Sequence, residues 1–174
     1  GEIRKYKGRY SVRGDLQEGR FDTFAPVVQW STVRMLMMIA LRYGYKTKCI
    51  DFSNGFVQAQ LTSPVWIHLP RGNYSDIFEE NTDGKCLELK KSLYGLSVAP
   101  KLWYLHLRER LEAQGFKPSK IDPCLYFRNG VAIAVYVDDV VMIGRTEKEL
   151  ETIVKDLEKE FKVTDEGELT GFLG

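Results

Sequence analysis

The sequence predicts an α+β domain built on a largely antiparallel sheet. Three observations carry that reading. Two apolar segments, residues 124–127 and 131–137, are separated by Asn129-Gly130, a dipeptide that accepts the positive φ angles of a type I′ hairpin turn. A further apolar run, 140–143, follows after only two acidic residues, so neighbouring strands pair with one another. Segments with helix start and stop signals alternate with the strands, in the order helix, strand, helix, strand, then hairpins and two more helices, with the helices covering one face.

Each element has its own local reason. Ser31 is placed to cap a helix through Met35, Leu36, Met38, Ile39 and Leu41, and Gly44 ends it. Residues 46–51 read as a strand, broken by Asn54-Gly55, and 56–61 as a short helix. Residues 65–69 form a strand stopped by Pro70 and Gly72; 73–84 is polar and reads as a loop. A short strand is expected at 86–89. Pro100 suits the first turn of a helix running through Leu102, Trp103, Leu105, Leu107 and Leu111, closed by Gly115. Thr146 and Glu149 make a capping box for a last helix ending near Phe161.

The chain has 174 residues and 44% apolar composition, enough for one domain with a real core. Its longest apolar stretches fall short of the ~20 residues that a membrane helix needs, so no membrane partner is expected. Gly1 is not a natural start, and no signal peptide opens the chain, so the sequence reads as a piece of something longer. Cys49, Cys86 and Cys124 are widely spaced, which argues against a zinc site or a disulfide framework and for three partly buried thiols in a reducing compartment. Net charge is only +1, but Arg4, Lys5, Lys7, Arg9 and Arg13 crowd the start while acidic residues crowd the end. One end therefore offers a phosphate-binding face despite the neutral average.

Asp138 and Asp139 interrupt an otherwise apolar run. Two adjacent carboxylates between buried strands are costly unless solvated or neutralised. An exposed acidic turn satisfies that requirement without any function. Asp51, at the end of the strand 46–51, offers a second reading: if the two strands are neighbours, three carboxylates converge, and divalent cations relieve their repulsion. Oxygen-only ligands favour Mg2+ or Mn2+ over zinc. Two such ions ~4 Å apart suit in-line phosphoryl transfer. His68 and His106 stand alone and read as structural or surface residues.

These residues resemble a known family. Tyr136-Val137-Asp138-Asp139 resembles the YxDD box of reverse transcriptases, and Asp51-Phe52-Ser53-Asn54-Gly55-Phe56 resembles the motif that reads close to D-V-K-N-A-F in copia-like retrotransposons. Residues 91–104, KSLYGLSVAPKLWY, resemble their K-x-L-Y-G-L-K-Q-A-P-R-x-W-Y signature, and 22–28 (DTFAPVV) and 172–174 (FLG) sit where similar blocks occur. The five blocks lie in family order over nearly the whole chain.

The resemblance implies a right-hand polymerase, with fingers and a split βαβ palm in a single truncated domain over residues 1–174. The chain would end at the start of the primer grip, leaving thumb, connection and ribonuclease H regions to the rest of a Pol polyprotein. It implies Mg2+ (or Mn2+) held by Asp51, Asp138 and Asp139, a primed RNA or DNA template, dNTPs as substrates, and a cytoplasmic setting in a virus-like particle. Phe56 matches the aromatic beneath the incoming sugar, and Tyr94 and Gly95 a pair that contacts template and nucleotide. A core phenylalanine and a plain loop glycine are the competing readings. The backbone amides of Asn54, Gly55 and Phe56, at a helix start, are candidates to face triphosphate oxygens, as are the side chains of Lys7 or Arg9.

The chain departs from the family at Ser97-Val98, where Lys-Gln is common, and near Thr164, where a basic residue often stands. No proton donor to pyrophosphate is therefore assigned. Two other classes compete with the polymerase. One is a folded, non-catalytic remnant with residual nucleic-acid binding. The other is a nucleotide cyclase, disfavoured because its Gly-Gly-acid-acid-Phe turn is absent.

Overall fold

A computed structural model of the chain describes residues 8–17, 19, 21–69 and 84–169. Within them, helix α1 (Trp30–Tyr43) precedes strand β1 (Lys46–Phe52), a 3-10 turn (Gly55–Gln58), β2 (Trp66–His68) and β3 (Cys86–Glu88). Helix α2 (Ala99–Ala113), β4 (Lys117–Pro118), β5 (Leu125–Arg128), β6 (Val131–Tyr136), β7 (Asp139–Gly144), α3 (Glu147–Leu157) and β8 (Val163–Gly167) complete the order. Six strands form one antiparallel sheet, β4-β5-β6-β7-β1-β8, and β2 pairs with β3 apart from it. The expected α+β class with an antiparallel sheet is therefore present. No helix among the described residues is long and apolar enough to cross a membrane.

The helices lie on both faces of the sheet, not on one. The reason is legible in β6, whose sequence Val131-Ala132-Ile133-Ala134-Val135 alternates large and small side chains, all of them buried. Val131, Ile133 and Val135 join Val140 and Met142 of β7 in a core with Trp103, Leu107 and Leu111 of α2 and Leu150, Ile153 and Leu157 of α3. Ala132, Ala134 and Ile143 face the opposite way and pack with Val33, Leu36 and Ala40 of α1. Alternation at period two sends each set to its own face.

Local chemistry accounts for most boundaries. Asn129 and Gly130 adopt φ of 50° and 81°, as the type I′ turn requires. Gly44 closes α1 in the left-handed region with its N–H on the Ala40 carbonyl. The capping box at Thr146 and Glu149 is complete. Helix α3, however, stops at Leu157, short of the expected Phe161. A tightened turn, in which the Glu160 N–H reaches the Leu157 carbonyl at 3.1 Å, drops Phe161 into the core against Phe52 and Trp103.

Other expectations need correction. Helix α1 starts one residue before Ser31, with Gln29 at its cap position and no side-chain capping bond. Buried Asp122 anchors that end instead. Its Oδ2 accepts hydrogen bonds from the Gln29 N–H (2.9 Å) and the Thr32 hydroxyl (2.6 Å), and its Oδ1 accepts from the Cys124 N–H (3.0 Å). The short helix expected over 56–61 is a 3-10 turn, Gly55–Gln58. Strand β8 was not anticipated because its exposed, polar sequence lacks apolar alternation. Cys49 and Cys124 are buried but Cys86 is exposed, and all three are free thiols. The loop expected over 73–84 lies, apart from Gly84, outside the described residues.

Asp122 generates a clear stability prediction. Asp122→Ala leaves three donors without their acceptor, two of them at a helix start. A loss of about 3 kcal/mol or more is expected in urea unfolding. Asp122→Asn, nearly the same shape, should recover only part of it, because its amide NH2 donates where Oδ2 accepts.

Candidate active site

The β6–β7 hairpin turns in two residues. Tyr136 pairs with Asp139, which leaves Val137-Asp138 as the loop. Val137 has φ of 56°, a region that β-branched residues avoid at a cost of about 1–3 kcal/mol. Three contacts hold it there. The Trp103 indole N–H donates to the Val137 carbonyl at 2.8 Å, the Phe52 N–H donates to the Asp138 carbonyl at 2.8 Å, and the Val137 side chain packs against the core. The non-functional reading of this pair is an acidic turn open to water. Asp138 and Asp139 are instead half-buried.

Asp51 lies near the end of β1, which runs antiparallel to β7. The register sets Asp51 opposite Asp139. Three carboxylates distant in sequence thus gather at one end of the sheet. Burial raises the pKa of Asp138 to about 6, with further contributions from Asp51 and Asp139, and Arg9 opposes the shift. Asp139 is raised by burial and then by Asp51. Glu166 of β8, also raised by burial and then by Asp51 and Asp139, is a fourth carboxylate within their electrostatic reach. Sequence reading missed it along with β8. A register shift opposite Cys49 and Ile50 leaves Glu166 without a partner across the strands.

The donor chemistry fits a hard divalent cation. The cluster is all oxygen, and Oδ1 of Asp138 is buried with no hydrogen-bond partner. As the side chains stand, no three His, Cys, Asp or Glu groups among the described residues converge on a single metal position.

A cleft of about 580 Å³ opens beside the cluster, lined in part by Arg9, Asp51, Ser53, Asn54, Tyr94, Asp138 and Thr164. Five candidate residues therefore share one cleft. The Arg9 guanidinium lies 4.8 Å over the Tyr94 ring, and Phe56 meets Tyr94 edge-on with ring centroids 5.1 Å apart. Asn54 is exposed and left-handed, φ 56°. Lys7 lies outside the described residues.

Gly55, Gly95 and Gly14 make close contacts inside the protein. A Cβ on Gly55 would sit 2.3 Å from Asp138 Oδ1 and 2.7 Å from the Trp103 ring, so the missing side chain leaves room for the carboxylate. A Cβ on Gly95 would meet the Val12 carbonyl oxygen at 2.0 Å, and one on Gly14 would meet the Gly95 carbonyl oxygen at 2.0 Å. The close backbone approach at Gly95 is to the N-terminal segment, which the Val12 N–H ties to the Tyr94 carbonyl at 2.9 Å. Neither Gly55 nor Gly95 lines the cleft.

Comparison with known proteins adds an independent line. The family model described as reverse transcriptase (RNA-dependent DNA polymerase) matches residues 2–174. The chain is 32% identical over 181 residues to the retrovirus-related Pol polyprotein from transposon RE1 of Arabidopsis thaliana, covering 100% of the chain and 12% of that protein. It is 29% identical over 181 residues to the corresponding polyprotein from transposon TNT 1-94 of Nicotiana tabacum, covering 98% and 13%. It is 27% identical over 171 residues to the transposon Ty1-H Gag-Pol polyprotein of Saccharomyces cerevisiae, covering 94% and 9%. The chain thus spans a small part of each relative's length. No solved structure matches it.

The geometry makes two predictions. Burial holds the Asp138 carboxyl up at about 6, above the ordinary aspartate range. Its favourable contribution is therefore complete below pH 4 and is lost as pH rises through 6. Without divalent cations, Asp138→Asn should stabilise the protein by roughly 1–3 kcal/mol at pH 7.5, after allowance for solvent screening, and by nearly nothing at pH 4. Paired urea titrations at the two pH values check this. Gly55→Ala should destabilise by about 1–3 kcal/mol, since neither the carboxylate nor the indole has room to retreat, and thermal unfolding would register it.

Proposed function

The chain belongs to the reverse transcriptase family, in the branch carried by copia-like retrotransposons, and from that membership we propose that it forms the fingers and palm of an RNA-directed DNA polymerase that adds dNTPs to a primer 3′-hydroxyl. The observation that carries the proposal is the pairing of Asp51 with Asp139, with Asp138 in the adjoining turn. On this reading the carboxylates of Asp51, Asp138 and Asp139 would hold Mg2+, or Mn2+. Bound there, the cations would neutralise charge on the attacking hydroxyl and the departing pyrophosphate.

The chain's own residues supply the setting. Apolar strands and α2 exclude water behind the turn, which strengthens electrostatic interactions in front of it. Arg9 or Lys7 would oppose the triphosphate charge, and the backbone amides of Asn54, Gly55 and Phe56 would meet its oxygens. The Phe56 ring, braced by Tyr94, would lie under the incoming sugar and collide with a ribose 2′-hydroxyl. Tyr94 and Gly95 would border the template. Thumb, connection and ribonuclease H functions would come from the remainder of a Pol polyprotein, in the cytoplasm within a virus-like particle.

A second reading, a folded remnant that binds nucleic acid without catalysis, draws on the net charge of only +1. Phosphate contacts would then appear as binding that weakens steeply with salt.

Primer extension on an RNA template with Mg2+ separates the readings. The parent polyprotein should lose at least ~10²-fold in rate on Asp138→Asn, and equal activity in both would rule out the assigned role. If the clamping of the duplex belongs to the remainder of the polyprotein, the 174-residue chain by itself should make only short products; long products from it would contradict the assigned division of labour.

A further inference from the structure

Asp51 shares its neighbourhood with two other carboxylates, and among the described residues no ion pair holds it there. What it has is a hydroxyl. Ser53 Oγ donates to Asp51 Oδ2 at 3.3 Å, and Ser53 Oγ lies 2.6 Å from Thr164 Oγ1. A hydroxyl carries one proton, and an ionised carboxylate only accepts. With the Ser53 proton directed to Asp51, the short contact with Thr164 must use the Thr164 proton. The order is therefore Thr164 to Ser53 to Asp51, each bond polarising the next.

The middle member of this chain is itself clamped. The Ser53 N–H donates to the Lys162 carbonyl at 2.9 Å. The Gln58 side chain closes the other side: its Nε2 donates to the Ser53 carbonyl at 3.0 Å, and its Oε1 accepts from the Lys162 N–H at 3.2 Å. Strand β8 brings Thr164 into register opposite Asp51. Asp51, Ser53, Thr164 and Asp138 all line the same cleft.

We infer that Ser53 and Thr164 are positioning residues, a hydroxyl relay that holds the Asp51 carboxylate in the cleft facing Asp138 and Asp139 so that a divalent cation meets it ready oriented. This rests on the proposed cation-binding role of the three carboxylates. The physical need is clear: like charges drive a free Asp51 side chain away toward water, and a neutral donor restrains it without filling the place of a cation. Outer groups that orient ligating carboxylates commonly control cation affinity by about 10–100-fold.

The test uses the 174-residue chain and two readouts. Mn2+ binding, followed by calorimetry and by the electron paramagnetic resonance signal of free Mn2+, should weaken about tenfold in Ser53→Ala. Ser53→Thr, which keeps the hydroxyl, should stay within about threefold of the parent. Thr164→Val should weaken binding and Thr164→Ser should not. Separately, in the cation-free chain, three-bond couplings to the Asp51 β-protons should report one side-chain rotamer in the parent and Ser53→Thr, and averaging in Ser53→Ala.

Unchanged Mn2+ affinity in Ser53→Ala overturns the relay, as does equal loss in Ser53→Ala and Ser53→Thr, or an Asp51 rotamer that ignores the substitution. A parent chain that binds no Mn2+ while Ser53→Ala still frees Asp51 would sink the cation-binding reading and leave the relay standing. Loss of binding in Asp138→Asn but not in Ser53→Ala would do the reverse.

Discussion

The pairing of β1 with β7 is the constraint on which the site depends. Six consecutive residue pairs, from Lys46 with Gly144 to Asp51 with Asp139, leave no freedom of register. A slip of one residue would turn Ile50 and Val140, both fully buried, toward the wrong face. The apolar core therefore locks the acidic positions. Burial of Ile50, Phe52, Val140 and Met142 determines that Asp51 and Asp139 meet, although mutual repulsion alone would separate them.

The same core supports the strain and the charge at the hairpin. A left-handed valine and a half-buried carboxylate with an unpartnered oxygen are each unfavourable. They persist because Trp103, Phe52 and Gly55 surround the turn with two directed hydrogen bonds and one tailored space. Stability is given up at the turn and recovered in the packing behind it, as is common where a protein holds a reactive arrangement.

Much of this was legible in the chain itself. The hairpin at Asn129-Gly130, the capping box at Thr146 and the strand carrying Asp51 announce themselves through turn chemistry and period-two alternation. So does the idea that Asp51 and the Asp138-Asp139 pair are neighbours. What stayed hidden depends on contacts far apart in sequence. Asp122 anchors a helix 90 residues upstream through Thr32, and nothing local marks it as an anchor. Polar β8 carries no apolar signal, so Thr164 and Glu166 could not be connected with Asp51. The packing of Gly95 against Val12 of the same chain, 83 residues upstream, likewise has no local signal. The helices on both faces were foreshadowed by the alternating valines, isoleucine and alanines of β6, a pattern that is compelling only once strand neighbours are known.

The indole of Trp103 has a use beyond packing. It is 2% exposed, whereas Trp30 and Trp66 are 52% and 62% exposed, so its emission belongs to a dry environment and theirs to a wet one. Its N–H is bonded to the carbonyl of Val137, one residue from Asp138, and its ring abuts Gly55. The protein thus carries an intrinsic fluorophore wired to the acidic hairpin, and the blue edge of its spectrum is an optical gauge of what happens there.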